Sequence, residues 1–131
     1  MAPILLDTTV VIDLLRGRSE AVRRLRALRD AGDSPCVCAV NVEETVRGLR
    51  PAESEPAGRL FRGLHVVPLG EPEGRQAGEW RRENAARGLT LAQADCLVAA
   101  AALSVGGRLA TGNVKDFPMP ELAVEHWPAG A

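Results

Sequence analysis

Acidic residues stand where several apolar segments of this sequence begin or end. An acid follows each of the segments ILL at 4–6, CVCAV at 36–40 and RLAT at 108–111, and another lies early in the alanine-rich stretch that starts near residue 90. The acids concerned are Asp7, Glu43 or Glu44, Asp95 and Asp116. Carboxylates that gather in one place repel one another, so such a group needs a cation or shared protons. An all-oxygen site favours Mg²⁺ or Mn²⁺ over zinc or copper.

A divalent ion in such a site suits the hydrolysis of a phosphodiester bond. The ion activates a water molecule, orients the phosphate and stabilises charge on the attacking and leaving oxygens. Other catalytic signatures are missing from the sequence, which has no G-x-S-x-G elbow, no G-x-x-x-x-G-K-[ST] loop and no G-x-G-x-x-G fingerprint. The residue types therefore indicate metal-assisted hydrolysis without a protein nucleophile.

Hydrophobic periodicity and capping residues predict the elements that carry these acids. Helices are expected after Thr8 or Thr9, from Ser19 to Arg29, after an N-cap at Asn41, over about 53–63, from Glu71 to Arg87, and from Thr90 or Leu91. Short strands are expected at 3–7, 36–40, 65–69, 108–111 and 122–127. This alternation predicts an α/β fold with a mostly parallel central sheet and helices on both faces. Ligands of such sheets bind outside the carboxyl ends of the strands, which is where Asp7 falls.

The length and composition fit one compact domain over residues 1–131. The chain has 46% hydrophobic residues and no apolar run of the roughly 18 residues that span a bilayer. No secretion signal is recognisable, so we expect a cytoplasmic protein without membrane attachment. Cys36, Cys38 and Cys96 make an odd number and lack a second pair of ligands, which argues against both a disulfide framework and a zinc site.

The basic residues are almost all arginine. Of the 16 lysines and arginines only Lys115 is a lysine. The planar guanidinium group pairs with phosphate and stacks on bases, so this set is compatible with a nucleic-acid ligand. Solvated helix faces in an arginine-rich protein would show the same composition, and the charge pattern leaves both interpretations open.

Four motifs in order carry a resemblance to a known family. They are LLDTTVVIDLLRG at 5–17, Glu44 with Gly48 in EETVRG, ADCLVAAAAL at 94–103 and LATGNVKDF at 109–117. Together they resemble the motifs of a PIN-domain ribonuclease of the VapC type, the toxin of a VapBC toxin-antitoxin pair, along essentially the whole chain.

The resemblance implies a PIN-like fold and an Mg²⁺-dependent endoribonuclease, with Mn²⁺ as a substitute, that cuts tRNA or another structured RNA and so inhibits translation and growth. It implies a VapB-like antitoxin as partner and a homodimer. The implied metal-binding catalytic acids are Asp7, Glu44, Asp95 and Asp116, with Thr9, Thr111 and Asn113 as supporting polar groups. Glu44 is preferred to Glu43 by its spacing to Gly48, while Gly112 departs from the family, which carries a basic residue there.

Two other functions fit parts of the sequence. A haloacid-dehalogenase-like phosphatase also begins with an apolar strand and an aspartate, but Thr9 replaces its second acid. A PIN-like fold that binds RNA or protein without catalysis is the other alternative. The presence of all the implied acids argues against it.

Overall fold

The computed structural model describes residues 2–131 as alternating strands and helices. The strands are β1 (Pro3–Leu6), β2 (Ser34–Cys38), β3 (His65–Val67), β4 (Arg108–Thr111) and β5 (Val124–His126). The helices are α1 (Thr8–Leu15), α2 (Ser19–Asp30), α3 (Ala39–Arg47), α4 (Ser54–Arg62), α5 (Glu71–Ala86) and α6 (Gln93–Ser104). Short 3₁₀ turns occupy Pro51–Glu53 and Val114–Asp116.

The five strands form one sheet in the order β3-β2-β1-β4-β5, and every neighbouring pair is parallel. The chain therefore runs from the central strand β1 outward through β2 and β3, and later returns to the other side of β1 with β4 and β5. The predicted α/β fold is confirmed, and the sheet is parallel throughout. The reversal between β1 and β4 is a topological switch point, where parallel sheets bind ligands at the carboxyl edge.

Each face of the sheet has its own apolar core. Leu5 and Leu109 point into a core with α5 and α6, where four consecutive alanines allow α6 to pack closely. Ile4 and Leu6 point the other way, into a core with α1 and α2. The alternation follows from the two-residue period of a strand, and each fully buried side chain of β1 contributes about 2 kcal/mol. β1 is thus held from both sides.

Two predicted helix starts are wrong. The first helix begins at Thr8 with Asp7 as its N-cap, whose carboxylate accepts the Thr8 N–H at 2.9 Å. The third begins at Ala39, because the strand CVCAV ends early, at Cys38. Asn41 therefore lies inside that helix, and its side-chain oxygen accepts the backbone N–H of Cys38 at 2.9 Å. This bond, from the N–H of the capping residue to a side chain in the first turn, is one of the two hydrogen bonds of a capping box.

The other boundaries differ by a few residues, apart from RLAT at 108–111, where the predicted and observed strands coincide. All three cysteines are buried and free. Across residues 2–131, no helix combines the length and apolar character needed to cross a bilayer.

Gly107 supplies a test of how closely the turn before β4 approaches β1. A Cβ atom built on Gly107 would lie 2.8 Å from the carbonyl oxygen of Pro3, a backbone atom that cannot turn aside as a flexible side chain can. We expect Gly107→Ala to lower the free energy of unfolding by about 1–3 kcal/mol.

Gly78 provides the matched control, since it lies within α5 and a Cβ there would meet nothing within 4 Å. We expect Gly78→Ala to raise the free energy of unfolding by about 0.5–1 kcal/mol, because alanine favours the helix. Urea denaturation, monitored by circular dichroism, measures the free energy of unfolding of both variants. Shifts of the same sign in the two variants would contradict the close approach of Gly107 to Pro3.

Candidate active site

A cavity of about 400 Å³ opens at the carboxyl edge of the sheet, beside the switch point. Acids from three separate parts of the chain line it: Asp7 after β1, Glu44 on α3 and Asp95 in the first turn of α6. The cavity is also lined by Thr8, Thr9, Ile12, Arg47, Gly48 and Asn113. The fold therefore gathers carboxylates that lie up to 88 positions apart in the sequence (Asp7 to Asp95).

Asp7 is the most buried of the acids, with 6% of its surface exposed. Its backbone N–H extends the β1–β4 ladder by donating to Ala110 at 2.9 Å. One carboxylate oxygen accepts the Thr8 N–H, and the other accepts the hydroxyl of Thr111 at 2.7 Å. Burial raises the pKa of Asp7 despite these two hydrogen bonds, and the charges of Glu44 and Asp116 raise it further. The hydrogen bonds hold the carboxylate in one orientation.

Glu44 is oriented by a chain of hydrogen bonds that starts at the end of β2. The Cys38 N–H donates to the side-chain oxygen of Asn41, which is fully buried. The Asn41 amide donates to the hydroxyl of Thr8 at 3.3 Å, and that hydroxyl donates to a Glu44 carboxylate oxygen at 2.7 Å. These hydrogen bonds join β2, α3 and the first residue of α1. Glu43 is exposed on the outer side of the same helix.

Asp95 is half-buried at the N-terminal end of α6. Burial raises its pKa to about 6, and the charges of Asp116, Asp7 and Glu44 raise it in the same direction. Burial is thus the main cause of the raised pKa of Asp95, and the neighbouring acids add to it. The positive end of the α6 dipole lies nearby and favours a negative charge in this first turn.

Asp116 has a different position from the other acids. It ends the Val114–Asp116 turn and does not line the cavity, although its charge raises the pKa of both Asp7 and Asp95. The structure thus places it near the site rather than in it. Its predicted role as a metal ligand stays a prediction, as do the catalytic roles of the other acids.

Of the predicted supporting residues, Thr9 and Asn113 line the cavity, and Thr111 is fully buried beside Asp7. The Thr111 hydroxyl donates to Asp7 and accepts the Asn113 N–H at 3.0 Å. The Thr9 hydroxyl accepts the Gly112 N–H at 3.1 Å. A Cβ on Gly112 would lie 3.2 Å from that of Ala129 and 3.3 Å from the Thr9 hydroxyl. Glycine at this position therefore permits a close approach to the C-terminal segment.

The acids are not arranged as a closed ligand shell. No group of three or more acidic, histidine or cysteine side chains in the described chain lies close enough to hold an ion as it stands. The hydrogen bonds from Thr8 and Thr111 hold the Asp7 and Glu44 carboxylates, and like charges keep the acids apart. The donor set is nevertheless all oxygen and strongly acidic, which fits a hard divalent cation. Asp7, Glu44 and Asp95 are the residues that could hold one.

The polar residues Thr8, Asn41 and Arg47 were not predicted from the sequence to belong to the site. Thr8 was expected only as a helix cap, and Asn41 likewise. A signal was present for Asn41, because it precedes Glu44 by three positions and residues at this spacing share one side of a helix. Arg47 follows Glu44 at the same spacing.

Comparisons with known proteins agree with this geometry. The family described as PIN domain matches residues 4–118. Ribonuclease VapC10 of Mycobacterium tuberculosis is 35% identical over 118 residues, which cover 90% of this chain and 88% of that protein. Ribonuclease VapC19 of the same organism is 30% identical over 119 residues, covering 90% and 95%.

Solved structures show the same fold. A chain in the crystal structure of VapBC2 from Rickettsia felis, bound to a DNA fragment from their promoter, superposes with a TM-score of 0.85 at 20% identity. The match covers 95% of this chain and 98% of that chain. At this level of identity the likeness shows the fold alone.

The hydroxyl of Thr8 can be tested against that of Thr45, a threonine on α3 whose hydroxyl is not hydrogen-bonded within residues 2–131. Thr8→Val removes the bond to Glu44 and leaves the Asn41 amide without its acceptor, so we expect the free energy of unfolding to fall by about 1–3 kcal/mol. Thr45 is buried on α3, and its hydroxyl finds no partner among the residues described. Thr45→Val should be neutral or stabilising by about 1 kcal/mol. Equal losses in both variants, measured by urea denaturation, would contradict the Thr8 network.

The charge on Asp95 predicts a pH-dependent stability of the metal-free protein. Its pKa is about 6 in the folded chain against an ordinary value of 3.8, so the folded state holds the proton more tightly than the unfolded state. The resulting stabilisation is complete below pH 3.8 and is lost as the pH rises through 6. We expect Asp95→Asn to be more stable than the parent at pH 7, by about 1 kcal/mol after allowance for solvent screening of a half-exposed group.

The same comparison at pH 4 should show no advantage for Asp95→Asn. Asp30→Asn, a change at an exposed acid on α2, is the control. The measurement is urea denaturation in chelator-treated buffer at both pH values. A stability difference that does not change with pH would contradict the electrostatic origin of the effect.

Proposed function

The chain belongs to the PIN domain family and, within it, to the VapC ribonucleases, and on this premise we propose that it is a metal-dependent endoribonuclease toxin. Its substrate in this proposal is tRNA or another structured RNA, and its cleavage inhibits translation and growth. The observation that carries the proposal is the convergence of Asp7, Glu44 and Asp95 on one open cavity at the switch point of the sheet.

A divalent cation is the natural counter-charge for this cavity. PIN-domain ribonucleases generally depend on divalent metals, and the oxygen donors here favour Mg²⁺, with Mn²⁺ as a substitute. Asp7, Glu44 and Asp95 would hold the ion, with Asp116 as a further acid nearby. When bound, such an ion supplies an activated water and stabilises charge on the phosphate oxygens.

The protein's own side chains contribute orientation and charge. Thr111 and the Thr8 backbone hold the Asp7 carboxylate, and the Thr8 hydroxyl holds Glu44. Both acids are therefore positioned before any ligand arrives, which reduces the entropy lost on binding. Asn113 at the mouth of the cavity presents an amide that can hydrogen-bond to the sugar or phosphate of an RNA strand.

The open shape of the site favours a polymeric substrate. The cavity is lined mainly by polar and charged groups and lies at the protein surface, whereas small-molecule sites are mostly apolar and enclose their ligand. An RNA strand in a loop or bulge can present its backbone to such a site, because its bases are not stacked in a helix.

A protein partner is the second part of the proposal. The solved neighbours include VapBC assemblies, among them VapBC2 from Rickettsia felis and VapBC-1 from nontypeable Haemophilus influenzae. We propose that this chain pairs with an antitoxin of the VapB type, as a homodimer of single-domain subunits over residues 1–131. A toxin that cuts cellular RNA requires such a neutralising partner in the cell that produces it.

A PIN-like module without catalysis remains the alternative function. It would not need acids whose charges raise the pKa of Asp7 and Asp95. The phosphatase alternative has lost its support, since the chain is a member of the PIN family. The phosphatase motif also needs a second acid as proton donor, and this sequence has Thr9 at that position.

Cleavage of RNA by the purified protein tests the proposal. Total RNA and bulk tRNA are incubated with the protein and Mg²⁺ or Mn²⁺, and the products are mapped by sequencing of their ends. We expect discrete cuts that EDTA abolishes and that Asp7→Asn reduces by roughly 100-fold or more, since removal of a ligand carboxylate weakens the metal site.

The matched control is Asp13→Asn, which makes the same change within α1, the helix that Asp7 caps, and outside the cavity. Asp13 accepts the backbone N–H of Gly130 at 2.9 Å, and the asparagine oxygen can take over this bond. We expect Asp13→Asn to cut as the parent does. Absence of cutting by folded protein with Mg²⁺ or Mn²⁺ bound would contradict the nuclease and favour a binding module.

A further inference from the structure

Arg47 is the basic side chain among the residues that line the acidic cavity. It lies at the last position of α3, one turn after Glu44, and shares the cavity with Asp7 and Asp95. Arg47 is exposed, whereas Asp7 is almost completely buried. The guanidinium group therefore lies nearer the solvent than the Asp7 carboxylate does.

The Arg47 side chain is not engaged by the protein. Across the described residues, ion pairs hold Arg16, Arg23, Arg59, Arg75 and Arg108 to acidic partners. Within the same part of the chain, Arg47 has neither an ion pair nor a side-chain hydrogen bond, although three acids line the same cavity. Structural ion pairing therefore does not explain this arginine.

A polyanionic substrate gives Arg47 a function. The acids that attract a divalent cation also repel the phosphates of an RNA strand, and this repulsion grows as water is excluded. A guanidinium at the mouth offsets it, and its planar fork can donate two hydrogen bonds to one phosphate group. An exposed position suits a phosphate beside the reacting one rather than the reacting phosphate itself.

We propose that Arg47 is a substrate-binding residue that holds a backbone phosphate of the RNA next to the scissile one. This inference rests on the proposed nuclease function and names one contact through which the site recognises its substrate. It implies that Arg47 contributes to binding in the ground state and the transition state alike, so its loss should raise KM and leave kcat nearly unchanged.

The same charge has the opposite effect on a metal ion. Arg47 repels a divalent cation held by Asp7, Glu44 and Asp95, so Arg47→Ala should bind Mn²⁺ more tightly, by roughly twofold at moderate salt. It should bind RNA more weakly, by roughly tenfold, since a charge-assisted contact to phosphate is lost. A role confined to packing or stability would not change the two affinities in opposite directions.

The experiment measures both affinities with a matched control. Binding of fluorescein-labelled bulk tRNA is followed by anisotropy in the Asp7→Asn background, in which we expect cutting to be strongly slowed. Arg47→Ala, Arg47→Lys or Arg50→Ala is added to this background. Arg50 is exposed, lies three positions further on and does not line the cavity. Calorimetric titration of Mn²⁺ alone into the otherwise unmodified protein, with and without Arg47→Ala, gives the metal affinity.

The salt dependence separates a phosphate contact from general attraction. We expect Arg47→Ala to reduce the slope of log Kd against log salt by about 0.7 to 0.9, the value for one phosphate contact, and Arg50→Ala to change it less. Arg47→Lys should restore the slope but only part of the affinity, because lysine lacks the two-pronged donor.

The outcomes distinguish this inference from the function on which it rests. Failure of the unmodified protein to cut RNA, together with an Asp7→Asn parent that binds no tRNA, would remove the nuclease proposal and the Arg47 contact together. A parent that binds tRNA, with equal losses from Arg47→Ala and Arg50→Ala, would overturn the Arg47 contact alone. The Arg47 contact would also be overturned if Arg47→Ala lowered kcat for RNA cleavage at unchanged KM. A fall in the Mn²⁺ affinity of Arg47→Ala would overturn it as well.

Discussion

The hydrogen bond between the Thr111 hydroxyl and the Asp7 carboxylate joins the ends of the two strands on which the site is built. β1 and β4 are neighbours only because the chain returns to the central strand after forming the outer half of the sheet. Their pairing places Asp7 beside Thr111, and the Thr111 hydroxyl then donates a hydrogen bond to the buried Asp7 carboxylate. The same threonine also accepts the Asn113 N–H, so one side chain contacts both Asp7 and Asn113, which line the cavity.

The site concentrates charge at a cost to the metal-free fold. The pKa of Asp7 is raised, and that of Asp95 is raised to about 6, because both are withdrawn from water and face other acids. The rest of the structure compensates with two apolar cores and a network in which Cys38, Asn41 and Thr8 hold Glu44. Sites of this kind store unfavourable interactions that a bound cation or substrate relieves.

The arginines divide into structural and available groups. Several are paired with acids on the same helix, as Arg23 is with Glu20, and such exposed pairs add little stability. Arg108 bridges Asp33 and Glu125 at the edge of the sheet, which is a structural use. Arg47 forms no ion pair of either kind within the described residues and lines the same cavity as the acids. The composition alone left the choice between nucleic-acid binding and solvation open, and the fold separates the paired arginines from Arg47, which lines the cavity without a partner among the described residues.

The sequence by itself determined the alternation of strands and helices, the β4 strand at 108–111 and the identity of the acids, because hydrophobic period and residue type are local properties. Tertiary structure decided the rest. Local signals favoured Asn41 as a helix cap, whereas the early end of β2 put it inside α3, where it supports Glu44 through Thr8. Strand order decided that Asp7 meets Thr111, and packing decided that Asp116 stays outside the cavity while Arg47 enters its wall. Such contacts join residues far apart in the chain, and their energies depend on burial and neighbouring charge, which exist only after the chain has folded.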